Sequence, residues 1–113
     1  MRLPTLAALA PLAALTAADY MDVTTTCNNV GNCYSTGTWY TDFAFYYGVD
    51  ANEGCRDSSA VVPSLRSLCM DWGNQRAHFF FDGEGKRCLR KNPDYQCILA
   101  TCTGRWKEIA CTW

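Results

Sequence analysis

Apolar and polar residues alternate most clearly over residues 76–82 of this chain. Two sets of side chains alternate along this stretch. One face would carry Ala77, Phe79 and Phe81, and the opposite face Arg76, His78 and Phe80. A period of two predicts a β-strand with one buried face. The Asp-Gly-Glu-Gly that follows indicates a turn, and residues 87–90 are expected to return as the partner strand, with Leu89 beside Phe79.

Three further stretches indicate β-structure. Residues 37–47 are aromatic and β-branched, which predicts one strand. One face of that strand would be formed by Trp39, Thr41, Phe43 and Phe45. Residues 19–36 are expected to form an N-terminal strand and an irregular loop held by cystines, and residues 48–59 a second loop. Residues 95–101 and 105–113 are expected to form a second hairpin around Thr103 and Gly104.

Residues 63–72 change to a helical period. The apolar positions at i, i+3, i+4 and i+7 are Leu65, Leu68, Cys69 and Trp72. Pro63 suits the first turn of a helix, and Gly73 suits its C-terminal cap. The sequence therefore predicts a small disulfide-rich α+β domain, mainly an antiparallel β-sheet or sandwich with one short helix.

The N-terminal residues have the composition of a secretory signal peptide. Arg2 supplies the positive charge, and residues 6–15 form an apolar stretch that is too short to cross a bilayer. Thr16 and Ala18 are the small residues that a signal peptidase requires. We therefore expect a leader over residues 1–18 and one secreted, extracellular domain over residues 19–113, without a transmembrane segment.

Eight cysteines follow the predicted leader: Cys27, Cys33, Cys55, Cys69, Cys88, Cys97, Cys102 and Cys111. An even number in a short exported chain predicts four disulfides and no free thiol. Zinc is the competing use, but the chain has no Cys-x-x-Cys motif and a single histidine. We therefore expect no metal and no other cofactor. The spacing leaves the pairing open. We expect Cys111 to pair with either Cys27 or Cys33, and Cys69 to be linked to the sheet.

Charge is distributed unevenly along the chain. Residues 19–60 carry six acidic residues and one basic residue, whereas residues 61–113 carry eight basic and five acidic residues. The formal net charge of −1 argues against general binding to nucleic acids or anionic membranes. The asymmetry fits either an unevenly charged soluble protein or a basic face that docks on an anionic partner.

The layout of leader, single short domain, eight cysteines and aromatic strands resembles the small secreted cysteine-rich proteins of filamentous fungi, many of which are candidate effectors. The segment from Leu68 and Cys69 through residues 78–82 to Leu89 is also similar in rhythm to the Alt a 1-like β-sandwich proteins. Those proteins often have a cysteine, a Phe-x-Phe strand, a turn and a leucine-bearing strand. Both resemblances imply a binding or virulence factor rather than an enzyme.

Two sets of residues could carry chemistry. His78 has a side chain that titrates near neutral pH, and with Arg76 and Glu84 it supplies the residue types of a small secreted ribonuclease. The alternative is a surface histidine on a strand, and a second histidine is missing, so no catalytic residue is expected. A set of aromatic residues could either stack on sugar rings or pack the core: Trp39, Tyr40, Tyr46, Tyr47, Trp106 and Trp113.

The predicted function is that of a secreted, effector-like or toxin-like binding protein that acts on a host or a competing microbe. The alternatives are a small ribonuclease-like hydrolase centred on His78 and a carbohydrate-binding module for cell-wall polymers. The contact surface is expected on the hairpins of residues 76–113, built from Arg76, His78, Arg90, Arg105, Trp106 and Lys107. We expect a monomer whose partner is a surface protein or a cell-wall polysaccharide rather than a nucleic acid.

Overall fold

A computed structural model describes residues 18–113 of the chain, so the predicted leader lies outside the described residues except for Ala18. The described residues form nine β-strands and no helix. In chain order the strands are β1 (Tyr20–Cys27), β2 (Cys33–Tyr40), β3 (Phe45–Asp50), β4 (Gly54–Arg56), β5 (Leu65–Asp71), β6 (Arg76–Phe81), β7 (Arg87–Lys91), β8 (Gln96–Ile98) and β9 (Thr101–Ile109). Every described pairing is antiparallel.

All nine strands belong to one sheet, which curls into a half-barrel. The order across the sheet is β3-β2-β1-β9-β7-β6-β5-β4, and β8 pairs with β9. β3 and β4 occupy the two ends of this order, yet only residues 51–53 connect them. Strands lie about 4.8 Å apart, so a link this short requires the two edges of the sheet to approach each other. Arg56 holds the link by donating to the carbonyls of Asn52 and Glu53, each at 2.8 Å.

The concave face of the sheet carries the core. Its fully or almost fully buried side chains are Met21, Val23, Trp39, Val49, Ala51, Val62, Leu65, Leu68, Met70, Ala77, Phe79, Leu89 and Trp106. Trp39 from β2 meets Phe79 from β6 edge to face, with ring centroids 4.9 Å apart. Trp72 and Trp106 meet in the same way at 4.9 Å. These contacts join the two halves of the curled sheet across its interior.

The prediction of a helix over residues 63–72 is wrong, because this segment contains strand β5. A register shift lies between Leu65 and Ser67, where β5 pairs with β6. The irregularity places Leu65 and Leu68, three residues apart, on the same buried side. Beyond it, Leu68 and Met70 both belong to the core, whereas Cys69 between them forms the disulfide with Cys55. A single β-bulge therefore places buried residues three positions apart in this strand, which is the spacing that is usual in a helix.

Two other predicted boundaries are also wrong. Residues 37–47 form the end of β2, a turn and the start of β3, and the turn is closed by hydrogen bonds from the amides of Phe43 and Ala44 to Oγ1 of Thr41. Phe43 is consequently 96% exposed. The last hairpin turns at Leu99 and Ala100, not at Thr103 and Gly104, which lie within β9.

The strand predicted from the alternation over residues 76–82 is confirmed. Ala77 and Phe79 face the core, and β7 is the partner strand. The register differs from the expectation by two residues, since Leu89 lies opposite Ala77 rather than Phe79. A shift of two keeps every side chain on its expected face.

The prediction of four disulfides without a free thiol is confirmed. The pairs are Cys27–Cys33, Cys55–Cys69, Cys88–Cys111 and Cys97–Cys102. Three of them join residues that lie directly opposite each other in neighbouring strands. The pairing of Cys27 or Cys33 with Cys111 was wrong, and Cys69 is tied to the sheet from a strand rather than from a helix.

Candidate functional site

The convex face of the sheet, called the outer face below, carries one continuous row of aromatic and basic side chains. Consecutive strand pairings bring Phe45 opposite Tyr40, Tyr40 opposite Tyr20, and Tyr20 opposite Lys107. The same row continues through Arg90 on β7 to Arg76 on β6. The row, called the aromatic–basic row below, therefore crosses six strands: Phe45, Tyr40, Tyr20, Lys107, Arg90 and Arg76.

The aromatic half of this row is tightly stacked. The rings of Tyr20 and Tyr40 lie 4.6 Å apart and are nearly parallel, and Phe45 lies 5.9 Å beyond Tyr40. The guanidinium of Arg105 lies 4.1 Å from the centre of the Tyr20 ring. Tyr20 is thus enclosed between Tyr40 and Arg105, whereas Phe45 and its neighbour Tyr47 are 54% and 71% exposed. The free aromatic surface lies at the β3 edge of the sheet.

The basic half of the row contains two cations that no acidic side chain neutralises. Lys107 and Arg90 are exposed, and neither has a carboxylate within ion-pair distance among residues 18–113. Arg76 differs, because Asp71 lies 3.4 Å from it. Trp113 packs beside both guanidinium groups, 5.0 Å from Arg76 and 5.7 Å from Arg90. The tail that follows β9 is fixed here by the Cys88–Cys111 disulfide.

The structure brings together most of the predicted contact residues but excludes one. Arg76, Arg90 and Lys107 share the aromatic–basic row, and Arg105 lies two residues before Lys107 on the same face. Arg105 is held by Asp22 through contacts of 2.7 and 3.1 Å, so its charge is compensated. The prediction that Trp106 belongs to the contact surface is wrong. Trp106 alternates with Arg105 and Lys107 along β9, so it points to the core and is completely buried. It is not part of any surface.

His78 lies on the outer face beside a small cleft. The cleft has a volume of about 260 Å³ and is lined by His78, Arg76, Glu53, Asp71 and Trp113, among others. Burial, together with the positive charges of Lys86 and Arg76, lowers the pKa of His78. Both carboxylates have other partners, since Glu53 accepts from the amide of Trp72 at 2.9 Å and Asp71 accepts from the side chain of Asn74 at 2.8 Å.

The predicted aromatic platform divides between core and surface. Trp39 and Trp106 are buried, and Tyr46 packs against the core. Tyr40, Tyr47 and Trp113 lie on or beside the outer face. Sequence reasoning missed Tyr20 and Phe45, because their place in the aromatic–basic row follows only from the register with β2.

Residues 18–113 contain no group of three or more metal-ligating side chains that could hold an ion. No helix in the described part of the chain is long and apolar enough to cross a membrane. The chain matches no protein-family model, no curated protein and no solved structure.

Proposed function

We propose that this protein is an extracellular binding protein of the effector-like or toxin-like kind, and that its outer face holds an acidic cell-surface polysaccharide. The observation that carries the proposal is the aromatic–basic row, in which stacked rings run directly into unpaired cations. Four disulfides in a short chain are typical of proteins that work outside the cell.

The charges of the row favour a polymeric anion over a single small one. Lys107 and Arg90 lie on neighbouring strands and are both exposed. An exposed ion pair contributes only about 0–1 kcal/mol, so one carboxylate would bind weakly. A polymer with a repeated acidic group engages both cations at once, and the second contact then forms within an existing complex.

The aromatic end of the row favours a sugar polymer over other polyanions. Phe45 and Tyr47 offer ring surface to solvent at the β3 edge, about three strand spacings from Lys107, which is about 14 Å. Aromatic rings pack against the apolar C–H faces of sugars, and an anion without such faces would leave these rings in water. An acidic polysaccharide fits both halves of the row.

The test is a pull-down on acidic and neutral polysaccharides over a salt series. We expect binding to the acidic polymer that weakens as salt rises, and a loss of about tenfold with Lys107→Glu. Arg66→Glu is the matched control, because it makes the same change from a cation to a carboxylate at an exposed residue on β5, a strand that the row does not include. Binding that ignores salt, or that falls equally in the control, would contradict the proposal.

A second candidate function rests on the His78 cleft. His78, Arg76 and two carboxylates line one depression, which is the set of residue types that phosphodiester cleavage uses. RNA cleavage that disappears with His78→Ala would favour a ribonuclease. If neither the wild type nor the His78→Ala variant cleaves RNA, the ribonuclease candidate is wrong.

A further inference from the structure

The backbone nitrogen of Asp19 lies in a network of charged side chains. It donates to Oε1 of Glu108 at 2.8 Å, and the carbonyl of Asp19 accepts from the amide of Glu108 at 3.2 Å. Asp19 is 7% exposed, whereas Ala18 before it is exposed to solvent. The peptide bond between them therefore joins an exposed residue to a buried one, and its nitrogen lies directly against a carboxylate.

This network contains more carboxylates than cations. The guanidinium of Arg87 lies within ion-pair distance of three carboxylates: Asp19 at 3.5 Å, Glu84 at 3.5 Å and Glu108 at 2.7 Å. The side chains of Asp19 and Glu108 are only 8% and 16% exposed. Carboxylates that are removed from water need a compensating positive charge. While Asp19 is joined to Ala18, its nitrogen is a neutral amide that donates to Glu108 without supplying such a charge.

The other charged groups near this nitrogen do not balance the network. A depression of about 330 Å³ adjoins the site, with Lys86 and Arg87 on its wall. The ammonium group of Lys86 is bonded to the carbonyl of Trp113. Asp42 adds a further negative charge that acts on Asp19. Arg87 repels a second cation, but the three carboxylates already compensate it, so the surroundings of the nitrogen favour a positive charge.

We propose that removal of the leader supplies this charge: cleavage between Ala18 and Asp19 creates an α-ammonium group that forms an ion pair with Glu108. The inference rests on the leader expected from the sequence and is independent of the proposed function. Hydrolysis by a signal peptidase consumes one water molecule, whose oxygen goes to the carboxylate of Ala18 and whose two protons go to the nitrogen of Asp19. The hydrogen bond to Glu108 is retained, and Coulomb attraction between opposite charges is added to it.

The position of the cut determines whether the ion pair can form. A cut one residue earlier would place the ammonium group on Ala18, which is exposed, and would leave an amide against Glu108. A cut one residue later would remove Asp19, whose side chain accepts from Nε1 of Trp39 at 2.9 Å. The proposal therefore requires Asp19 as the first residue of the mature protein.

A paired ammonium group holds its proton more strongly in the folded protein than in the unfolded chain. We therefore expect its pKa in the folded protein to lie above about 7.7–8.0, the ordinary range of an α-amine. While Glu108 is ionised, the stabilisation is complete below that range and is lost as the pH rises through the folded pKa. The same amine is attached to Asp19 in the unfolded chain, so its effect on the neighbouring carboxyl group is largely common to both states.

The test uses protein from the medium of a secreting host. Its N-terminal sequence is read first, and we expect it to start at Asp19. Trace labelling of the α-amine with acetic anhydride over a pH series, followed by mass spectrometry, then gives the pH at which the amine loses its proton. We expect this midpoint to be about one unit higher in the folded protein than in urea, which is about tenfold less unprotonated amine at neutral pH. Burial alone would slow labelling at every pH without this displacement.

Two variants make the same chemical change at different carboxylates of the network. Glu108→Gln keeps an acceptor for the nitrogen but removes the charge, so the midpoint should return towards that of the unfolded chain. Glu84→Gln is the matched control, because Glu84 contacts Arg87 at 3.5 Å and should move the midpoint much less. A mature chain that starts at any other residue, equal midpoints in folded and unfolded wild type, or equal effects of the two variants would each overturn the proposal. The comparison within wild type decides the matter even if Glu108→Gln fails to fold.

Discussion

Asp19 is the residue at which burial and charge compete most directly. Its side chain is almost fully buried, accepts a hydrogen bond from Nε1 of Trp39 at 2.9 Å and lies 3.5 Å from Arg87. Burial raises the pKa of Asp19 above its ordinary value of 3.8, although the Trp39 hydrogen bond and Arg87 oppose the shift. The folded state therefore holds a proton more readily than the unfolded chain. The contribution of Asp19 to stability is lowest above its folded pKa and increases as the pH falls through that value.

Two substitutions of Asp19 distinguish its role as a hydrogen-bond acceptor from the effect of its buried charge. Asp19→Asn keeps an acceptor for Trp39 and removes the buried charge, so we expect the free energy of unfolding to change by less than about 1 kcal/mol at neutral pH. Asp19→Ala leaves the buried Trp39 N–H unpaired and should cost about 1–3 kcal/mol. Urea unfolding from neutral to acidic pH checks both. The Asn variant should lack the part of the pH dependence that Asp19 contributes, and equal losses in the two variants would contradict this account.

At the scale of the strand, glycine is needed at position 104 because the ring of Tyr95 packs there, not because the chain turns. It lies within β9, and a Cβ atom there would overlap the ring of Tyr95. Tyr95 accepts a hydrogen bond from Nε1 of Trp106 and packs edge to face on Trp72. Burial raises the pKa of the Tyr95 hydroxyl to about 12. The sequence suggested a turn because glycine is usual in turns. In the structure, the missing side chain of Gly104 leaves room for the ring of Tyr95 to pack directly on β9.

Gly104→Ala should therefore displace Tyr95 and lower the free energy of unfolding by about 1–3 kcal/mol. Gly85→Ala is the control, since no heavy atom lies within 4 Å of a Cβ at that position. Both changes restrict the unfolded chain similarly, so the difference between them isolates the overlap with the ring. Denaturant unfolding followed by tryptophan fluorescence measures it. Equal stabilities would mean that Tyr95 moves aside freely.

The alternation rule succeeded and failed for identifiable reasons. It predicted β6 correctly because residues 76–79 pair regularly with both neighbours and one face is buried. It failed at β5, where a bulge produces the spacing of a helix. It also failed over residues 37–47, where the turn contains an aromatic residue, Phe43, and lies between two aromatic strand segments. Neither feature has a local signal that a period of two or of 3.6 would detect.

At the scale of the whole molecule, the candidate site could be predicted only in part. The basic residues of the C-terminal half were identifiable from charge alone. Their aromatic neighbours were not, because Tyr20 meets Lys107 through the pairing of β1 with β9, from opposite ends of the described chain. Long-range register of this kind depends on the complete sheet.

The position of β9 between the two halves of the sheet also determines the order in which the protein can assemble. Strands β1–β3 form one meander, and β4–β7 form another; β9 pairs with β1 on one side and with β7 on the other. Three disulfides lie within a meander or within the β8–β9 hairpin, with sequence separations of 5, 6 and 14. The fourth, Cys88–Cys111, spans 23 residues and joins β7 to the tail beyond β9.

β9, the last of the described strands in chain order, thus joins the two halves of the sheet. Contacts distant in sequence form slowly, because the chain must first lose the entropy of the long loop between them. During oxidative refolding we expect Cys88–Cys111 to be the last disulfide to form, after the three local ones. Alkylation at successive times followed by disulfide mapping checks this order. Early accumulation of Cys88–Cys111 alone would mean that β9 docks before either meander is complete.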